Sequence, residues 1–178
     1  AMGFRLRLVD DAERDENVIV LRIEPGLGPE EYSLDVTTRG ARIRAAKPAG
    51  FFYGIQTFRQ LLPPSIFATQ VVQDAEWKMT CVEIIDSPRF GWRGLLIDPG
   101  RHFIPKEDVL RFIDAMAIHK LNRLQMHLTD DQGWRIEIRR YPALTAIGSR
   151  RADTQTGGWN NEARAGMPHG GFYTQAQI

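Results

Sequence analysis

The stretch Gly94-Leu95-Leu96-Ile97-Asp98-Pro99-Gly100-Arg101-His102-Phe103 decides the architecture. Its first four residues are short and continuously apolar, the pattern of a parallel strand covered on both faces. Asp98 closes the strand and Pro99-Gly100 turns the chain. Pro105 then opens a helix, with Glu107 and Asp108 in a first turn where the dipole favours acid. Val109, Phe112, Ile113, Met116 and Ala117 form its inner stripe, and His119 and Lys120 fall in its last turn. Leu121 to Leu128 is a second apolar strand, with Gln125 and His127 on the face opposite Leu124, Met126 and Leu128. Asp98 and Asp130 end equivalent strands 32 positions apart, one βα unit. Residues 93 to 178 therefore read as strand, helix, strand, long loop and the beginning of a helix that Thr174 caps.

Upstream the grammar differs. Phe4 to Leu8 and Val18 to Ile23 alternate with period two on either side of the charged stretch Asp10 to Asn17, as half-buried strands do. Tyr32 to Val36 and Ala41 to Ala46 form a hairpin around Thr38-Arg39-Gly40. Phe52, Ile55, Phe58, Arg59 and Leu62 recur at helical steps until Pro63-Pro64 stops them, so Ala49 to Leu62 is one amphipathic helix on a sheet. Lys78 to Ile85 is a last strand, broken by Asp86-Ser87-Pro88. The fold class is α/β: a small α+β domain over residues 1–88, then the first βα units of a parallel architecture over 89–178.

Composition narrows the function classes. Lys plus Arg is 23 and Asp plus Glu 22, a net charge of +1, which argues against a general nucleic-acid-binding surface. No apolar run approaches the roughly 20 residues of a membrane span. A single cysteine, Cys81, excludes an internal disulfide and a Cys-based zinc cluster. The opening Ala1-Met2-Gly3 leads into charged residues without the pattern of a signal peptide.

In parallel α/β architectures ligands bind beyond the carboxyl ends of the strands. Here those ends carry Asp98, Arg101 and His102 on one side, and His127, Asp130, Asp131 and Trp134 on the other. Asp98 either pairs with Arg101 as a structural ion pair or contacts a ligand. One of Asp130 and Asp131 reads as a turn residue bonding to the backbone. His127 on a strand face reads first as a satisfied core histidine, and Trp134 as packing. Asp98, His102, His127 and Asp130 are of metal-ligating type, but their spacing matches no metal motif. The basic pairs Arg139-Arg140 and Arg150-Arg151 read as a solvated face. No glycine cluster forms a phosphate-binding loop, and the residues call for no cofactor.

At these residues the chain resembles glycoside hydrolase family 20, the β-N-acetylhexosaminidases. Arg93 to Phe103 resembles the family's first barrel strand and the loop after it. Lys120 to Ile138, with Tyr141-Pro142 and Leu144, resembles the second strand and the helix after it. Ala49 to Pro63 resembles the helix of the small domain preceding the barrel. The resemblance runs over about residues 30 to 178 and implies that the βα units begin a (β/α)8 barrel. Two of eight units are present, against ~250 residues for a whole barrel.

The resemblance also implies roles. Arg101 matches the arginine that hydrogen-bonds hydroxyls of the terminal N-acetylhexosamine, a task suited to a guanidinium fork. Asp130 matches an acid that supports a relay through a histidine to the general acid. Asp98, His102, His127 and Asp131 surround these two. The implied reaction is a retaining hydrolysis in which the sugar's own acetamido oxygen attacks C1. An Asp-Glu pair does the protein's share, and this chain departs from the pattern there. Its mixed acidic neighbours, Asp15-Glu16 and Glu107-Asp108, stand at no strand end. The expectation is a piece of the enzyme, inactive alone, that self-associates or pairs with the rest of its barrel. A non-catalytic carbohydrate-binding or scaffold fragment is the alternative. The implied substrate class, N-acetylhexosaminides, favours an extracellular or periplasmic location.

Overall fold

A computed structural model describes Leu6 and residues 16–158, 160–161 and 163–178. The chain divides into two compact units, Ala1–Gly91 and Trp92–Ile178.

In the first unit β1 (Val18–Ile23), β2 (Tyr32–Thr37), β3 (Gly40–Ala45) and β4 (Val82–Asp86) form one sheet in the order β1-β3-β2-β4. β2 pairs antiparallel with β3 and β4, and β1 runs parallel to β3. The hairpin between β2 and β3 is the expected one. Gly40 has φ +156°, and a Cβ there would stand 2.5 Å from the Val18 carbonyl, so the approach of β1 requires glycine. The strand expected over residues 4–8 lies outside the described residues, Leu6 apart. The strand expected from Lys78 begins only at Val82, because its partner β2 runs no further than Thr37 and Val36 is already opposite Val82.

The helix α1 (Pro48–Leu61) covers one face of this sheet. Tyr32, Leu34, Val36, Ala41, Ile43 and Ala45 alternate into the core with Tyr53, and Phe58 and Leu61 pack at its margin. The Tyr32 hydroxyl bridges the Thr57 hydroxyl at 2.6 Å and the Asp86 carboxylate at 2.8 Å, fixing helix and edge strand to the central strand. The helix lies so close that a Cβ on Gly50 would collide with the Glu31 carbonyl and stand 2.8 Å from Ala45 Cβ. Gly→Ala in an open helix gains about 1 kcal/mol, but overpacking costs ~1–3 kcal/mol, and a backbone oxygen cannot step aside. Gly50→Ala is therefore expected to lower the urea-unfolding midpoint; a rise would show that the helix can lift off the sheet.

The second unit is built on β5 (Gly94–Ile97), α2 (Lys106–Ile118) and β6 (Arg123–Met126). The two strands are parallel, with Gly94 opposite Arg123 and Ile97 opposite Met126. Ile97, Val109 and Tyr173 form the core, with Phe103, Leu124, Met126 and Leu128 against it. β5 coincides with its apolar run, whereas β6 is shorter than the expected Leu121 to Leu128. The expectation that β5 is covered on both faces fails: Leu95 is 43% and Leu96 56% exposed, because the sheet has two strands and one helix beside it. On α2 the expected stripe is half realised; Val109 and Met116 are buried, whereas Phe112 and Ile113 are 42% and 44% exposed. His119 and Lys120 lie just past the helix. Lys120 takes φ +56°, and the Lys120 and Leu121 N–H groups return to the Ala117 and Met116 carbonyls, a Schellman closure.

Beyond β6 the expected long loop is organised. β7 (Thr129–Asp130) and β8 (Gly133–Trp134) make a tight hairpin, α3 (Ala143–Ala146) is a single helical turn, and β9 (Arg150–Arg151) pairs antiparallel with β10 (His169–Gly170). Thr174 starts a turn rather than a formed helix, with the Gln177 side chain accepting the Thr174 N–H at 2.8 Å in the manner of a capping box. Among the described residues no helix is long and apolar enough to cross a membrane.

Candidate functional site

β5 and β6 deliver their carboxyl ends side by side, and pairing continues past the strands through His127 N–H to Ile97 O at 3.0 Å and Gly100 N–H to His127 O at 2.7 Å. This register places Asp98 beside His127 and turns the chain at Gly100, where a Cβ would stand 3.0 Å from the His127 carbonyl. Arg101 folds back over the turn. Its N–H donates to Asp98 Oδ1 at 3.0 Å and its Nη1 to Asp98 Oδ2 at 2.6 Å. Its Nη2 lies 3.2 Å from Asp130 Oδ2, so one guanidinium links the end of β5 to the hairpin strand β7 that follows β6, where Asp130 stands rather than at the end of β6 itself. His127 lies between the same carboxylates, Nδ1 3.5 Å from Asp98 Oδ1 and Nε2 3.3 Å from Asp130 Oδ2.

The electrostatics follow. Burial pushes the Asp98 carboxyl up, but the hydrogen bonds from the Arg101 backbone and guanidinium, with the charges of His127 and Arg101, outweigh it and hold Asp98 below the usual carboxylate range. The Asp131 N–H, donating to Asp130 Oδ1 at 2.8 Å, is the main cause of a lowered Asp130, with Arg101 and His127 adding to it. Both acids stay ionised at neutral pH. Arg101 keeps 60% of its side chain exposed while its ends are pinned. A guanidinium has five N–H donors, so donors remain for a ligand rich in hydroxyls.

Four of the expected residues, Asp98, Arg101, His127 and Asp130, thus form one cluster. The choice between pair and ligand role for Asp98 begins from a real pair with Arg101. His127, read first as a core histidine, is instead half-exposed between two carboxylates. Asp131 is exposed and acts on Asp130 through its backbone. His102 lies elsewhere, its ring stacked on His169 at 3.9 Å. Trp134 donates its Nε1–H to Ile136 O at 2.8 Å, a structural bond. Among the described residues no group of three His, Cys, Asp or Glu side chains could hold a metal ion.

Two residues around the cluster escaped the reading of the sequence. Arg135 is fully buried, with Nε donating to Pro99 O at 2.9 Å and Nη1 to Ser149 O at 2.6 Å and Gly171 O at 3.3 Å. Arg151, expected on a solvated face, is half-buried; its guanidinium donates to Gln132 O, Arg101 O and the Thr154 hydroxyl.

Residues 90–178 match the family described as "Glycosyl hydrolase family 20, catalytic domain", and residues 1–87 match "Glycosyl hydrolase family 20, domain 2". The chain belongs to glycosyl hydrolase family 20. It is 40% identical over 154 residues to a β-hexosaminidase of Akkermansia muciniphila, covering 86% of this chain and 28% of that protein. It is 40% identical over 168 residues to a β-hexosaminidase of Porphyromonas gingivalis, covering 93% of this chain and 20% of that protein. A solved structure of a mutant Streptomyces plicatus β-hexosaminidase in complex with product (GlcNAc) superposes with a TM-score of 0.82 at 39% identity, over 99% of this chain and 32% of that one. The family 20 chain thus spans a fifth to a third of the length of these relatives, and its parallel strands belong to a family of barrel enzymes.

Proposed function

We propose that this family 20 chain is the leading part of a β-N-acetylhexosaminidase that removes terminal β-linked N-acetylglucosamine or N-acetylgalactosamine with retention, assisted by the substrate's acetamido group. In this reading residues 1–88 are the small preceding domain and residues 89–178 begin the (β/α)8 barrel. The observation that carries it is the single guanidinium, Arg101, held between Asp98 just past β5 and Asp130 in β7. Fixed at both ends, Arg101 presents its remaining donors to neighbouring sugar hydroxyls without the entropy cost a free arginine would bear. Asp130 supports the proton relay, and Asp98, His127 and Asp131 hold Arg101 and Asp130 in place. His102 steadies the loop that carries Arg101.

The acid/base Asp-Glu pair and the remaining strands are contributed from outside residues 1–178. Exposed Leu95, Leu96, Phe112 and Ile113 support this, since further strands and helices of a barrel would cover them. The complete protein is expected to release chromophore from an aryl N-acetyl-β-glucosaminide, and the pure 178-residue chain to release none. Turnover by the chain alone, or none by the complete protein, would overturn this reading.

A further inference from the structure

The loop that carries Arg101 is strapped from one side by a segment about seventy residues later. The Phe103 N–H donates to His169 Nε2 at 2.9 Å. This bond needs Nε2 as an acceptor, so the imidazole is neutral with its proton on Nδ1. The His102 ring lies flat on the same imidazole. Gly171 follows with φ +152°, and a Cβ there would run into the Phe103 ring, 2.8 Å from its Cγ, so the strap can seat only with glycine at this point. Tyr173 closes the strap, its hydroxyl donating to Ile104 O at 2.5 Å and its ring 5.1 Å from that of Phe103. On the neighbouring strand β9, Arg151 donates to Arg101 O at 2.6 Å and to Gln132 O at 3.0 Å. It thereby ties the loop after β5 to the hairpin after Asp130. Every backbone group from Arg101 to Ile104 named here is held by the 150–173 region, which contributes nothing to the Asp98–Arg101–Asp130 cluster itself.

We propose that His169 and Arg151 are positioning residues of the β-N-acetylhexosaminidase: His169, as a neutral acceptor for Phe103 N–H, and Arg151, as a clamp on Arg101 O and Gln132 O, set where the Arg101 guanidinium meets the sugar. The inference rests on the hexosaminidase reading and adds two residues acting through Arg101. It also carries a pH dependence. Burial pushes the His169 imidazole below its ordinary value, and the like charges of His102, Arg135 and Arg151, which face it, push the same way. A lowered folded-state pKa means the strap is intact above the ordinary imidazole value of about 6.5 and is lost as the pH falls from there through the lowered value. Protonated Nε2 can no longer accept the Phe103 N–H.

The test uses the complete protein with His169→Leu, which removes the acceptor, and His169→Gln, whose Oε1 can take the place of Nε2. His169→Leu is expected to raise KM more than it lowers kcat, with kcat/KM down by ~10-fold or more, the worth of one positioning hydrogen bond. His169→Gln is expected to restore kcat/KM to within about threefold and to flatten the acid limb of its pH profile, because a carboxamide does not titrate. Amide exchange of the peptide containing Phe103, followed by mass spectrometry, should quicken in the leucine variant and stay slow in the glutamine variant. Equal kinetics in all three proteins, a glutamine variant as impaired as the leucine one, or unchanged exchange at Phe103 would overturn the positioning role. An unmodified complete protein without turnover would instead sink the hexosaminidase reading, and the exchange arm would still judge the strap.

Discussion

Arg135→Met is expected to destabilise the unit 92–178 by about 3–5 kcal/mol, because it removes the guanidinium from three carbonyls at once, of which Ser149 O keeps a second donor in the Gly171 N–H and the other two lose the donor named here. Methionine keeps most of the volume and the apolar stem, so the loss isolates the guanidinium. Exchanging a buried ion pair for apolar residues is often neutral, but only when both partners are replaced. Here the partners are Pro99 O, Ser149 O and Gly171 O, which no substitution removes. Burial already pushes the Arg135 guanidinium down, with the Arg151 charge adding to it; the carbonyls are what keep the cation affordable at that depth. Arg135→Lys should fall between, since a point charge cannot reach three oxygens in different directions. Urea unfolding followed by tryptophan fluorescence reads the change. A loss below about 1 kcal/mol would mean the three segments hold together without the guanidinium.

The parts legible in the sequence were those that local patterns decide. Asp98 could be placed because it follows a short apolar run, and a strand's end is where its pattern breaks; Asp130, read as the end of the second parallel strand, lies instead in the short hairpin strand β7 beyond the end of β6 at Met126. Helix α1 was legible as a helix because Phe52, Ile55 and Phe58 recur every three to four residues, but its buried face was not: Phe52 and Ile55 are exposed, and Gly50, Tyr53, Gly54 and Thr57 are buried instead. Coverage was not legible: Leu95 and Leu96 read as doubly buried, yet burial depends on neighbouring elements that a strand's own residues do not name. The hairpin of β7 and β8 was hidden because two residues per strand leave no alternation to see. Arg135 gave no signal, since a cation enters the interior only when distant carbonyls converge on it. Arg151 and His169 were missed for the same reason. The twin arginines at 150–151 look alike in sequence, and only the pairing of β9 with β10 turns one of them inward. The Gly170-Gly171 step after His169 was the one available hint of a close backbone approach.

Arg101 is the residue on which the account turns. Its guanidinium is tied to Asp98 and Asp130, so a purely structural role is the rival explanation. The two explanations differ in what a substitution does to catalysis at constant stability. Each hydrogen bond from a guanidinium to a substrate hydroxyl is worth roughly a 10- to 100-fold change in affinity, and a fork makes at least two. Arg101 is largely exposed, so its removal should leave folding nearly unchanged. Lysine should not restore function, because one ammonium cannot reproduce two fixed donors set in a plane. The decisive measurement is kcat/KM of the complete protein on an aryl N-acetyl-β-glucosaminide with Arg101→Ala, alongside its urea midpoint. The account predicts a fall of ~100-fold or more at an unchanged midpoint; a fall of only a few-fold would contradict it and leave Arg101 as a brace between two carboxylates.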